Sequence, residues 1–286
     1  MNLDSFPFRV PLGRWADSAI SWMSENLTAL FDAVSGGLSF MLNGLNGLLV
    51  APPYFVIILL FAGLAWYVRS WKFGAFTLIS FVLIAAMDLW RPAMSTMSMV
   101  LVSSFIAITI GIALGVLASS SRKVSAVIKP FLDFMQTMPA FVYLIPAIIF
   151  FGIGTVPGTI ATIVFALPPA ARLTELGLRS VDPEVVEAGI AFGADKKCIL
   201  WDIKIPLALP TIMSGINQVI MLALSMVVTA GIVGAGGLGS VVYQGVTRLD
   251  IGLGFEGGIA VVIVAVFLDR ITNALGERAS RRIKKS

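Results

Sequence analysis

Residues 182–206 read DPEVVEAGIAFGADKKCILWDIKIP, a polar, helix-forming island between long apolar runs. Asp182 is a residue type that caps helix N-termini, and Pro183 suits the first helical position, where a backbone N–H has no partner to lose. The pattern predicts a helix through Glu184, Val185, Val186, Glu187 and Ala188, ended by Gly193. Asp195 is placed to cap a second helix, whose Ile199, Leu200 and Ile203 share a face and which Pro206 is expected to stop. A helix–turn–helix between two apolar runs has little reason to exist unless something docks on it. The plain alternative is an ordinary connection between spans.

Outward from that island, composition sets the class. The 286 residues are 58% hydrophobic and 13% charged, which marks an integral membrane protein. Apolar runs near bilayer-spanning length occur at 51–68, 73–90, 94–118, 134–153, 158–176, 207–232 and 253–270. The expected fold is all-α, with about seven transmembrane helices. Placing Arg69 and Lys72, Arg122 to Lys129, Arg172 to Lys204 and Arg270 to Lys285 on one side gathers 16 of the 20 Lys and Arg residues there, leaving Arg9, Arg14, Arg91 and Arg248. The positive-inside rule makes that side cytoplasmic, with the N-terminus outside, the C-terminus inside and 182–206 cytoplasmic. Pro139, Pro146, Pro168 and Pro169 are expected to interrupt the helices around 134–176, because each removes a backbone donor.

Residues 15–49 read differently. Trp15, Ala19, Met23, Leu27, Leu30, Phe31 and Val34 recur at helical spacing, with Asp17, Ser21, Glu25, Thr28 and Asp32 on the other face. This predicts an amphipathic helix, bent at Gly36-Gly37 and too polar to cross a bilayer. It lies at the outer membrane surface or packs as a scaffold along the spans.

Several chemistries are excluded. The single Cys198 leaves no internal disulfide or cysteine-rich metal site, and the absence of histidine removes His-based catalysis and proton relays. No basic patch interleaved with aromatics suggests nucleic acid. The N-terminus shows no pattern of a cleaved signal peptide. The glycine-rich stretch 231–239, GIVGAGGLG, lacks the Lys-Ser/Thr of a nucleotide loop and reads as a tight external turn or a re-entrant element. Gly111 and Gly115 are spaced for close helix packing. Asp88, Asp133, Glu256 and Asp269 lie near span ends, so the intramembrane carboxylate chain of a proton-coupled transporter is missing. That argues against a secondary transporter, and the scarcity of reactive groups argues against a membrane enzyme.

Glu187-Ala188-Gly189, three residues, Gly193, nine residues, then Ile203-Lys204-Ile205-Pro206 resembles the "EAA" loop of ABC-importer permeases. Gly189 stands where a second Ala is common, and Ile205 where Leu is common. The series QTMP, FVYLIP, FGIG, FALPP and RLT within 133–180, with VGAGGLG, is similar to permeases of glycine betaine, proline betaine and choline ABC importers. The resemblance covers roughly 50–275 and implies a type I importer permease core. It implies two permease copies, two ATPase subunits holding ATP and Mg, and an external solute-binding protein. Glu184, Glu187, Ala188, Gly189, Gly193, Ile203 and Pro206 would form the coupling element docked in the ATPase. The chain then divides into an N-terminal segment 1–50, two accessory spans at 51–92, a core at 93–275 and a basic tail at 276–286.

The same resemblance points to a small quaternary ammonium solute. Such a cation has no donor hydrogens, so apolar contact and aromatic faces can hold it, cation–π contact contributing about 0.5–2 kcal/mol. Phe141 and Tyr143, beside Pro139 and Pro146, are expected to line the pathway, with Gln136 and Thr137 one turn away. Packing between helices is the competing reading of both rings. An amino acid or another small solute is the rival cargo.

Overall fold

A computed structural model describes residues 11–283; Arg9 and the last three residues of the basic tail lie outside the described residues. The described residues are helical, with no strand among them.

The N-terminal segment forms two helices, α1 (Leu12–Asn26) and α2 (Thr28–Val50). The break falls at Leu27, not at Gly36-Gly37, which α2 passes through unbroken. Asn26 donates to the Trp22 carbonyl at 2.8 Å and Thr28 to the Ser24 carbonyl at 2.7 Å. Such side-chain bonds to the preceding turn compete with the helix ladder and bend it. The break also sorts the charges: α1 carries Asp17 and Glu25, whereas Asp32 is the one charge in α2. The amphipathic character therefore sits in α1, and α2 alone is long and apolar enough to cross a membrane.

The first two predicted spans form a short hairpin, α3 (Tyr54–Val68) and α4 (Trp71–Ala86). Their 15 and 16 residues reach about 22–24 Å at 1.5 Å per residue, less than the roughly 30 Å hydrocarbon core. Gly74 lets them close: a Cβ there would meet the Trp66 Cβ at 2.9 Å.

Four predicted spans fall on long helices. These are α5 (Trp90–Ser120), α8 (Thr155–Arg179), α11 (Ile205–Ala230) and α13 (Ile251–Ile283). α8 lies between α5 and α11 and carries much of the core. As the glycine spacing predicts, α5 meets α8 almost backbone to backbone. A Cβ on Gly111 would stand 2.5 Å from the Ala170 Cβ, and one on Gly115 2.6 Å from the Ala171 carbonyl.

Three expectations about proline change. The run 134–153 is not one span but two helices, α6 (Arg122–Thr137) and α7 (Ala140–Phe151), bent by 97°. Met138 is extended because Pro139 disfavours helical backbone in the residue before it. By contrast, α8 runs through Pro168 and Pro169 without breaking, where both are buried. Nor does Pro206 stop the second loop helix. α10 (Lys196–Cys198) continues through a π-helical turn, Ile199–Lys204, into α11 as one rod. The wider turn removes the conflict between the Pro206 ring and the preceding carbonyls: the Ile205 N–H reaches back five residues to the Leu200 carbonyl.

The glycine-rich stretch turns the chain back on itself. After a 3-10 turn, Gly231–Val233, the chain folds back as α12 (Gly237–Thr247) against the end of α11, then returns along α13. Gly231 and Gly239 touch backbone to backbone, and Leu238 N–H donates to the Thr96 hydroxyl of α5 at 2.8 Å.

Candidate functional site

The 182–206 loop forms as its residue types require. The Asp182 carboxylate accepts from the Glu184 N–H at 2.9 Å, Pro183 opens α9 (Pro183–Ala191), and Gly193 takes a left-handed φ of +83°. The Asp195 carboxylate accepts from the Cys198 N–H at 2.7 Å, capping α10. α9 folds back onto the π-turn through Gly189, where a Cβ would stand 2.5 Å from the Ile203 Cδ1. The two departures from the EAA pattern thus differ in kind, since Gly189 sits at a close approach to Ile203 whereas Ile205 lies on the rod.

No residue of α9 is buried. Glu184, Glu187 and Ala188 are exposed; Ile203 and Pro206 are half-buried. Beside the carboxylates stand apolar side chains with nothing over them: Val185, Ile190, Trp201 and, at 94% exposure, Phe192. Together they form an exposed apolar patch on an otherwise polar loop. Sequence reasoning named neither Phe192 nor Trp201. The available signal was a bulky aromatic directly before the helix-ending glycine.

Two turns before the loop, α8 carries Glu175, only 3% exposed. It accepts from the Ser125 hydroxyl at 2.6 Å and pairs with Arg179 at 2.8 Å and Lys129 at 3.5 Å. Arg179 also donates to the Ala118 carbonyl at the end of α5 at 2.7 Å. Higher up, Arg172 pairs with Asp133 of α6. These contacts tie α5, α6 and α8 together where α8 enters the loop. The Glu175–Arg179 spacing, four residues on a helix, was the visible trace of the cluster.

A cavity of about 330 Å³ lies between the end of α6, α8 and α11, lined by Gln136, Pro169, Asn217, Gln218, Met221 and Leu222. Asn217 donates to Asn273 of α13, whose amide donates to Asp269 at 2.7 Å. The Asn217 Oδ1 is buried without a partner. Gln136 is the expected pathway residue that the structure brings to this cavity. Thr137 donates to the Phe134 carbonyl of its own helix. Phe141 is 54% exposed on α7. Tyr143 donates across the elbow to the Met135 carbonyl and sets its ring edge-on to Phe165, centroids 6.4 Å apart. Asn217 and Gln218 were not singled out in the sequence, although adjacent amides in an apolar helix mark a polar contact. Among the described residues, no group of three or more His, Cys, Asp or Glu is placed to hold a metal.

The profile of the family described as "Binding-protein-dependent transport system inner membrane component" matches residues 107–285. The chain belongs to this family. It is thus a permease subunit, a multi-pass inner-membrane protein. The permease is 45% identical to the glycine betaine transport system permease protein OpuAB of Bacillus subtilis (strain 168), over 98% of this chain and 99% of that one. It is 44% identical to the glycine betaine/proline betaine transport system permease protein ProW of Escherichia coli (strain K12), over 96% of this chain and 77% of that one. A crystal structure of the MetNI methionine ABC transporter in an inward-facing conformation contains a chain of similar fold. It has a TM-score of 0.58 and 25% identity, covering 68% of this permease and 95% of that chain. The loop, the Glu175 cluster and the cavity all fall within the family match.

Proposed function

We propose that the permease serves an ATP-driven importer of small quaternary ammonium solutes: glycine betaine, proline betaine or choline. The observation that carries the cargo is the 45% identity, over nearly the whole of both chains, to a permease named for glycine betaine. Two permeases assemble with two ATPase subunits, which hold ATP and Mg, and receive solute from an external binding protein. The N-terminus faces outside, and the C-terminus and the 182–206 loop face the cytoplasm.

The geometry supports a lever. Phe192, Trp201 and the α9 carboxylates form an exposed surface for the ATPase. Movement there passes through the Gly189–Ile203 contact into the α10–α11 rod, and through Ser180 into α8 with its Glu175 cluster. These two helices flank the Gln136–Asn217–Gln218 cavity, so ATPase closure changes the cavity walls. Side-chain amides present carbonyl oxygens to a quaternary ammonium without needing a donor from it, and Gln136 and Gln218, both exposed, bring such amides to the cavity wall. Phe141 and Tyr143 add aromatic faces further along the route. Residues 1–50 form an N-terminal unit, 51–92 an accessory hairpin, 93–275 the transport core and 276–286 a basic tail.

The test is uptake of labelled solute by vesicles holding the permease, its ATPase and the cognate binding protein. Glycine betaine should accumulate only with ATP, and proline betaine or choline should compete. Accumulation without ATP, or competition by an amino acid and not by betaines, would refute the assignment.

A further inference from the structure

The seam between α4 and α13 holds a cleft of about 240 Å³ lined by Arg69, Phe73, Phe76, Val266 and Arg270. Two arginines from distant parts of the chain line one cleft whose other walls are apolar, and no carboxylate lines it. Among the described residues, Arg69 makes no ion pair. The carboxylate nearest Arg270 is its chain neighbour Asp269, at 4.0 Å, which already accepts from the Asn273 amide. Lys72 is exposed on the first turn of α4. One carboxylate at the limit of ion-pair distance leaves the two guanidinium groups under-compensated, and an anion between them lowers their repulsion.

The surroundings define the anion. Trp66, Tyr67 and Trp71 are exposed around the α3–α4 turn, and the Arg278 guanidinium lies over the Tyr67 ring, 5.0 Å from its centroid. Exposed Trp and Tyr beside cations mark the headgroup level of a bilayer. Away from the arginines, the cleft continues along the exposed Phe76 and the half-buried Val266. A soluble anion would satisfy the arginines but not that apolar wall, whereas a phospholipid satisfies both. Arginine pairs bidentately with phosphate, and basic pockets between transmembrane helices suit anionic headgroups.

We infer that this cleft binds one anionic phospholipid, its phosphate between Arg69 and Arg270 and an acyl chain against Phe76 and Val266. The lipid bridges the α3–α4 turn to α13 and fastens the accessory hairpin to the core.

Native mass spectrometry of the purified importer, with phosphatidylglycerol or phosphatidylcholine of matched chains added, tests this. The expected result is one phosphatidylglycerol per permease, retained at collision energies that strip phosphatidylcholine. Retention should fall at least tenfold in Arg69→Gln/Arg270→Gln. It should persist, weakened, in Arg69→Lys/Arg270→Lys, and stay unchanged in Arg122→Gln/Lys123→Gln. If the double glutamine variant does not assemble, Arg270→Gln alone is read the same way. Equal retention of the two lipids, or undiminished phosphatidylglycerol on the glutamine variants, overturns the inference. Displacement of the lipid by millimolar inorganic phosphate would make a soluble anion the occupant and overturn it equally.

Discussion

At Gly193 the space where a Cβ would point is open, so steric clash plays no part there. The cost of substitution is the left-handed backbone alone, about 1–2 kcal/mol for an ordinary residue and more for a β-branched one. Gly193→Val should therefore lower both ATPase co-purification and uptake, whereas Gly193→Asn, a residue that tolerates this conformation, should stay near the parent. Equal loss in both variants would show that something other than backbone conformation is at stake. Two other glycines separate by what they touch. A Cβ on Gly231 would overlap the Gly239 backbone, which cannot yield, so Gly231→Ala should lower the unfolding temperature of the detergent-solubilised permease sharply. A Cβ on Gly189 meets only the tip of Ile203, which can turn away, so Gly189→Ala should unfold within a degree or two of the parent. The sequence marks all three as glycines in a loop or turn. What each one faces depends on packing from residues ten to fourteen positions away for Gly189 and an intervening turn for Gly231.

Among the elements, α5, α8, α11 and α13 were legible because hydropathy over about twenty residues reports burial in lipid directly, whereas α2, also long and apolar enough to span, was not, because its residues were read together with the polar ones of α1. The effect of proline was not. Pro139 makes an elbow, Pro168 and Pro169 sit inside an unbroken helix, and Pro206 is absorbed by a π-turn. A missing N–H has the same local cost each time, and neighbouring helices decide whether the backbone yields. The amphipathic reading of 15–49 misplaced the bend for a related reason: glycine only permits a bend, while side-chain bonds at Asn26 and Thr28 impose one. Glu175 escaped notice because burial of a carboxylate depends on Ser125, fifty residues away, and on Lys129 one turn further on. Glu175→Ala leaves Arg179 and Lys129 without their partner. Both still reach water, so the loss should be about 1–3 kcal/mol. Thermal unfolding should show the drop, and Glu175→Gln, which keeps the bond to Ser125, should recover part of it. No change in either variant would remove the cluster as the tie between α6 and α8.

For the whole molecule, the charge distribution predicts one orientation, and Cys198, the only thiol in the chain, can report it. A membrane-impermeant maleimide should leave intact cells unlabelled and label inside-out vesicles stripped of ATPase. Labelling from outside would reverse the topology. The helix–turn–helix of 182–206 was legible as a unit because caps, spacing and polarity are local signals. The outward face proposed to dock was not, since exposure of Phe192 and Trp201 depends on how α9 folds against Ile203. On the proposed function, this face meets the ATPase. That contact is tested most directly with a photoreactive phenylalanine analogue at position 192 in the assembled importer. Irradiation should join permease to ATPase in a single cross-linked band, and ATP should change its yield as the loop moves. An importer that assembles and transports, yet gives no permease–ATPase cross-link from position 192, would contradict the account.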